Sequence, residues 1–215
     1  MSDVVIEGTV ITAGAGAMLS SIASRAAAAE LTGMEFASGI PGSLGGAVVM
    51  NAGAYGGEMK DILQKVTVLT PDGTVQTLSV EELELSYRHS IIPEKGYLVI
   101  SAVLKLQPGN ADEIQSIMDD LKEKRVSKQP LEYPSAGSTF KRPEGYFAGK
   151  LIQDAGLRGF RVGGAQVSEK HCGFIINRDQ ATSTDICQLM QQVSEIVYEK
   201  FGVRLEPEVK KIGEF

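Results

Sequence analysis

Two hydrophobic periods alternate along the chain, and the switches between them mark the predicted elements. Residues 4–11 (Val4-Val5-Ile6-Glu7-Gly8-Thr9-Val10-Ile11) read as strand and turn with no lead-in. Residues 18–31 are alanine-rich, with Leu19, Ile22, Ala23, Ala26 and Ala27 at helical spacing and a stop near Gly33. Residues 65–70 and 74–78 alternate with period two around Pro71-Asp72-Gly73, a hairpin signal. The pattern then predicts a short helix over 81–85 and an apolar strand over 97–106. Asn110, with Glu113 three residues on, has a capping-box spacing and opens a helix to about Arg125, with Ile114, Ile117, Met118 and Leu121 on one face. Residues 127–135, with Pro130 and Pro134, carry no period and form the best internal boundary. Beyond it come a short helix over 147–155 closed by Gly156, then strands over 161–167 and 172–177. The last long helix starts at Thr184 or Asp185, buries Ile186, Leu189, Met190, Val193, Ile196 and Val197, and stops at Gly202. Strands and helices are mixed without a regular βαβ rhythm, so the predicted fold class is α+β.

One stretch breaks both periods. Residues 39–57 hold seven glycines and a single aromatic, Tyr55. Gly42 follows Pro41, which predicts a tight turn. Two readings stand side by side: a glycine-rich turn that lets two elements pack closely, and a row of backbone N–H groups suited to a bulky anion such as a pyrophosphate.

Composition narrows the function classes. The chain has 215 residues, 43% hydrophobic and 22% charged, which is ordinary for a soluble globular protein. Its net charge of -6 and pI near 5.1 argue against nucleic acid as the main partner. No apolar run reaches the about 20 residues of a membrane span, and no signal-peptide pattern is present, so no membrane partner is expected. Cys172 and Cys187 are a poor disulfide framework and, with two histidines, a poor metal site; the expected compartment is the reducing cytoplasm.

Three further clusters set polar groups beside turn formers. In Tyr87-Arg88-His89-Ser90 a guanidinium stands between two strand-like runs, where it could also pair with any surface carboxylate. In Pro134-Ser135-Ala136-Gly137-Ser138-Thr139-Phe140-Lys141 three hydroxyls surround a glycine, a pattern that commonly satisfies turn backbone. Leu205-Glu206-Pro207-Glu208-Val209-Lys210 reads equally as a solvated charged tail. Ser138 is not in a G-x-S-x-G elbow. His171 and Cys172 are strand neighbours that point to opposite faces, which argues against a Cys–His pair.

Taken in order, the runs 38–46 (Ser-Gly-Ile-Pro-Gly-Ser-Leu-Gly-Gly), 50–56 (Met-Asn-Ala-Gly-Ala-Tyr-Gly), 87–90, 136–141 and 205–209 resemble the UDP-N-acetylenolpyruvoylglucosamine reductases. The resemblance extends over about residues 13–213, and five ordered motifs make it specific where any one would be weak. It implies an FAD- and NADPH-dependent oxidoreductase of peptidoglycan precursor synthesis. Such enzymes reduce the enolpyruvyl ether of a UDP-sugar to a lactyl ether, giving UDP-N-acetylmuramate. It also implies a vanillyl-alcohol-oxidase-like FAD-binding scaffold with a smaller α+β substrate domain.

Residue by residue, Ser138 falls on the family's proton donor, and Arg88 and Glu208 on its other two active-site positions. The glycine stretch, at Gly39, Ile40, Pro41, Gly42, Gly45, Gly46, Asn51 and Gly53, falls on the part that lies along FAD. Tyr55 and Lys128 align with contacts to the substrate's diphosphate. His171 and Lys210 align with further substrate contacts, and Lys141 belongs to the same substrate-binding set. The family's main pyrophosphate loop lies upstream of anything in these residues. The resemblance therefore implies that the first third of a complete reductase is missing and that this chain alone retains FAD weakly or not at all. A substrate-binding fragment without turnover is the alternative. Only one strand and one helix separate Arg88 from Lys128, which fits the shorter family type without an inserted tyrosine loop. A different flavin oxidase would need a covalent-flavin histidine or cysteine in the glycine stretch, and there is none. The expected layout puts residues 1–129 and 202–215 in an FAD-facing domain and 130–201 in a substrate-binding domain.

Overall fold

The computed structural model describes residues 1–213. The chain divides into two compact units, Met1–Lys124 and Arg125–Phe215.

The first unit opens with a hairpin, β1 (Val4–Glu7) and β2 (Val10–Gly14), followed by α1 (Leu19–Ala28), β3 (Leu31–Thr32) and α2 (Leu44–Val49). A small hairpin of β4 (Gly53–Ala54) and β5 (Gly57–Glu58) leads to β6 (Leu63–Leu69), β7 (Val75–Ser79), β8 (Leu98–Lys105) and β9 (Gln107–Pro108). Helix α3 (Ala111–Lys128) starts in this unit, and the boundary between units falls within it. Five strands form one antiparallel sheet in the order β1-β2-β8-β6-β7. Alternation sorts each strand between its two faces: Ile11 and Ala13 of β2 are buried opposite Leu104 and Ala102 of β8, while Thr12 between them is exposed. That buried face and the apolar stripe of α1 (Leu19, Ile22, Ala23, Ala26) share a core with Leu44 and Val48 of α2.

The second unit holds β10 (Ser135–Ser138), α4 (Ala148–Asp154), β11 (Arg161–Val162), β12 (Ala165–Val167), β13 (Phe174–Asn177) and α5 (Ser183–Phe201). Its sheet is antiparallel in the order β10-β13-β12-β11. Leu189, Val193 and Val197 of α5 join Leu151 and Ile152 of α4 in a separate core. Helix α5 begins at a capping box, with Thr182 Oγ1 accepting from Asp185 N (3.1 Å) and Asp185 Oδ2 from Thr182 N (2.9 Å). Gly202 closes it at φ 68°.

The long elements follow the predicted pattern, and four shorter expectations do not hold. Residues 81–85 form turns rather than a helix. Ser79 and Glu82 bond reciprocally there, and Glu84 takes φ 49°. Residues 161–167 are a tight hairpin, because Gly163 (φ 53°) reverses the chain between Val162 and Ala165. Helix α3 runs to Lys128, past the expected stop, with Gln129 N still donating to Arg125 O (2.9 Å). The segment from residue 202 belongs to the second unit, not the first. Leu205 is buried in the second core, and the backbone just after it, at Glu206 and Glu208, pairs with residues 139–141. Among the described residues, no helix is long and apolar enough to cross a membrane.

Candidate active site

The glycine stretch separates into packing glycines and surface glycines. Leu44 N and Gly45 N, the first amides of α2, donate to Ala17 O and Ala15 O (2.8 Å each), and Gly42 O accepts from Leu19 N (3.0 Å). The chain's own carbonyls therefore occupy the amides that an anion cradle would need. A Cβ on buried Gly45 would lie 2.9 Å from Ala15 Cβ, so close packing is the reason for glycine there. Gly45 is thus corrected from a cofactor contact to a packing residue. Asn51 needs the same correction: it has no exposed surface, and its side-chain polar atoms are all bonded within the unit. Gly39, Pro41 and Gly46 remain exposed, and Ile40, Gly42 and Gly53 are partly exposed. A Cβ on Gly42 would meet nothing within 4 Å, and one on Gly46 only Ser43 Oγ at 3.9 Å. Together these positions make a strip of accessible backbone with little side-chain cover, which fits a flat group lying against it.

Tyr55 and Gly56 are the two central residues of the β4–β5 hairpin, at φ 53° and 94°. This is the two-residue turn that demands left-handed backbone at both places, a demand asparagine and glycine meet far better than tyrosine does. The turn leaves the tyrosine 47% exposed at the hairpin tip. The local sequence signal for this hairpin is Gly56 in the turn followed by Gly57, too short a pattern to read. Next to it, the turn Ser86–His89 carries Arg88 at φ 54°. Arg88 Nη2 donates to Gly53 O (3.2 Å), and its Cζ lies 5.0 Å from the centroid of the Tyr87 ring.

In the second unit, Ser138 is exposed at the end of β10, paired with Phe174 of β13. Thr139, the next residue, is buried: Thr139 N donates to Gly173 O (2.8 Å), and Thr139 Oγ1 accepts from Ile175 N (2.9 Å). Its carbonyl accepts from Glu208 N (2.9 Å), and Lys141 N donates to Glu206 O (2.9 Å). This short antiparallel pairing registers Glu208 beside the Ser138–Thr139 step, although 70 positions separate Ser138 from Glu208. Lys141 Nζ pairs with the Glu206 carboxylate; Lys128 and Lys210 are exposed.

The His171 imidazole is seated between two glycines, since a Cβ on Gly149 or Gly173 would come within 3.2 or 2.9 Å of its Cε1. Its Nδ1 accepts from Gly173 N (3.1 Å), and the ring meets Phe174 edge-on at 5.1 Å. Burial pushes its pKa below the usual histidine value, and the Lys128 charge adds to the effect. The ring is therefore neutral near pH 7, with the proton on Nε2, where it serves as a donor. Burial raises the Cys172 thiol, which leaves it unreactive beside this histidine. Among the described residues, no group of three or more His, Cys, Asp or Glu side chains could hold a metal.

Residues 129–212 match the family described as UDP-N-acetylenolpyruvoylglucosamine reductase, C-terminal domain, and residues 1–79 match the FAD binding domain family. The chain is 67% identical, over 96% of its length, to the UDP-N-acetylenolpyruvoylglucosamine reductase of Agathobacter rectalis, of which it covers 66%. It is 57% identical, over its whole length, to the reductase of the same name from Caldanaerobacter subterraneus subsp. tengcongensis, of which it covers 71%. The crystal structure of the Thermus caldophilus UDP-N-acetylenolpyruvylglucosamine reductase is similar at a TM-score of 0.81 and 41% identity, over 92% of this chain and 71% of that one. The chain thus spans 66–71% of the length of these relatives. It belongs to the UDP-N-acetylenolpyruvoylglucosamine reductase family.

Proposed function

We propose that this chain carries the substrate-protonating and carboxylate-binding groups of an enzyme that reduces UDP-N-acetylglucosamine enolpyruvate to UDP-N-acetylmuramate. NADPH is the electron donor, and the reaction belongs to cytoplasmic peptidoglycan precursor synthesis. The observation that supports this reading is the bond from Glu208 N to Thr139 O, which pairs the backbone of Glu208 with that of the residue following the exposed Ser138. When bound, FAD relays hydride from NADPH to the terminal vinyl carbon of the substrate. The accessible backbone at Gly39, Pro41, Gly42 and Gly46 is where this chain would hold it.

The chain's own work begins as charge collects on the carbon next to the substrate carboxylate. Arg88 presents a planar guanidinium, whose two-pronged geometry suits a carboxylate that gains charge in the transition state. Its link to Gly53 O fixes one edge of the group. The Ser138 hydroxyl then gives its proton to that carbon. Serine is a feeble acid, but a carbanion-like partner is far more basic, so a positioned hydroxyl suffices. Glu208 holds the reacting groups by hydrogen bonding. Tyr55 and Lys128 meet the diphosphate, and His171, Lys141 and Lys210 complete the contacts to the UDP-sugar.

Rapid mixing of the FAD-loaded enzyme separates the two half-reactions. Ser138→Ala is expected to leave NADPH-to-flavin transfer intact and to slow substrate reduction about 10²–10⁴-fold, the usual share of a general acid. Equal loss of both half-reactions would overturn the assignment of Ser138.

A further inference from the structure

Asn51 combines three properties seldom found in one residue. It is fully buried, it sits at φ 41°, and each polar group of its side chain is bonded. Its amide nitrogen donates to Glu58 Oε2 (2.6 Å) and to Ser86 O (3.0 Å), and its Oδ1 accepts from Lys60 N (2.9 Å). A buried amide is tolerated only when its hydrogen bonds are made, and these lead to two separate segments. Glu58 and Lys60 belong to the β4–β5 hairpin and the turn after it; Ser86 begins the turn that carries Arg88. Glu58 is itself held by Lys60 Nζ (2.6 Å) and, through its backbone N–H, by Asp61 Oδ2 (2.9 Å).

The Arg88 turn needs such support. It is closed by two long reciprocal backbone bonds between Ser86 and His89, both 3.2 Å, and it places a large side chain in the left-handed region. On its far flank buried Ser90 donates from Oγ to Val49 O (2.7 Å), two residues before Asn51. The turn is thus tied from both sides to the end of α2 and the segment that follows.

We propose that Asn51, with Ser90, is a positioning residue: it pins the Ser86–His89 turn so that the Arg88 guanidinium is set, before substrate arrives, where the substrate carboxylate will be. Asn51 would then act through Arg88 without touching substrate or flavin. The inference rests on the role proposed above for Arg88.

The test is a double-mutant cycle in the FAD-loaded enzyme with Asn51→Ala and Arg88→Ala, made singly and together. A misplacement near 1 Å can cost about 10²-fold. Asn51→Ala is therefore expected to lower kcat for reduction of the enolpyruvyl substrate by about that factor, with flavin reduction by NADPH changed less than about twofold. In the Arg88→Ala background the same change should add less than about twofold, because its route of action is already gone. Multiplicative losses in the double variant, or equal loss in both half-reactions, would overturn the proposal and leave Asn51 a merely structural residue. Should Asn51→Ala fail to fold, Ser90→Ala runs through the same cycle under the same criteria. If Arg88→Ala alone leaves substrate reduction unchanged, the role of Arg88 falls first and the positioning proposal with it; an impaired Arg88→Ala with a multiplicative cycle rejects the positioning alone.

Discussion

At Gly45 an added methyl group would have to displace Ala15, whereas at Gly46 it would meet only a hydroxyl at 3.9 Å. The two substitutions should therefore differ in sign. Gly45→Ala is expected to destabilise the first unit by about 1–3 kcal/mol, the usual cost of overpacking. Gly46→Ala lies within α2 and should be neutral or stabilising by up to about 1 kcal/mol, since alanine is the better helix former. Urea unfolding of the two variants checks both signs, and a destabilised Gly46→Ala would show that its surface is already occupied by packing. Sequence reading named both glycines together because glycine content and order are all that a sequence displays. Which glycine faces a neighbouring carbonyl depends on where residues 15–17 run, and nothing local encodes that. The same limit applies to Asn51, which the family resemblance set along FAD and which is fully buried.

Among the elements, the long ones were legible because a helix or strand of seven or more residues repeats its hydrophobic period often enough to be read. Helix α5 is the clearest case, with four buried residues on one stripe, a capping box at one end and a left-handed glycine at the other. Thr182→Ala should lower the stability of the second unit by about 1 kcal/mol through loss of the bond to Asp185 N, measurable as a lower urea midpoint at unchanged slope. An unchanged midpoint would mean that the box is dispensable. Elements of two residues, such as β4, β5 and β11, have no period to detect. The pairing of residues 206–208 with 139–141 is harder still, since it joins segments about 65 positions apart with no pattern in common. That pairing moved Glu208 into the same unit as Ser138, contrary to the expected layout.

At the scale of the whole chain, each unit has a hydrophobic core of its own. Leu104 anchors the first and Leu189 the second, both fully buried. Truncating either to alanine should cost about 2–5 kcal/mol, and each lesion should move the melting of the unit that contains it. A single transition shifted equally by both variants would show that the two cores melt as one. Of the proposed site, the identities of Arg88, Ser138 and Glu208 were readable through ordered motifs, while the means of holding them were not. Those means are backbone carbonyls of Gly53 and Thr139, and a carbonyl has no letter in a sequence.

The hairpin tip at Tyr55 has a consequence for anyone who engineers this protein. A tyrosine with left-handed backbone costs on the order of 1–2 kcal/mol relative to glycine at the same place, so a screen for heat resistance alone would replace it early, most readily with asparagine or glycine. The chain would gain stability and lose the one aromatic ring that the glycine-rich stretch displays. Consensus and thermostability designs on this scaffold should therefore hold Tyr55 fixed and seek their gains on the exposed face of α3 ahead of Lys128, where comfort and purpose do not compete.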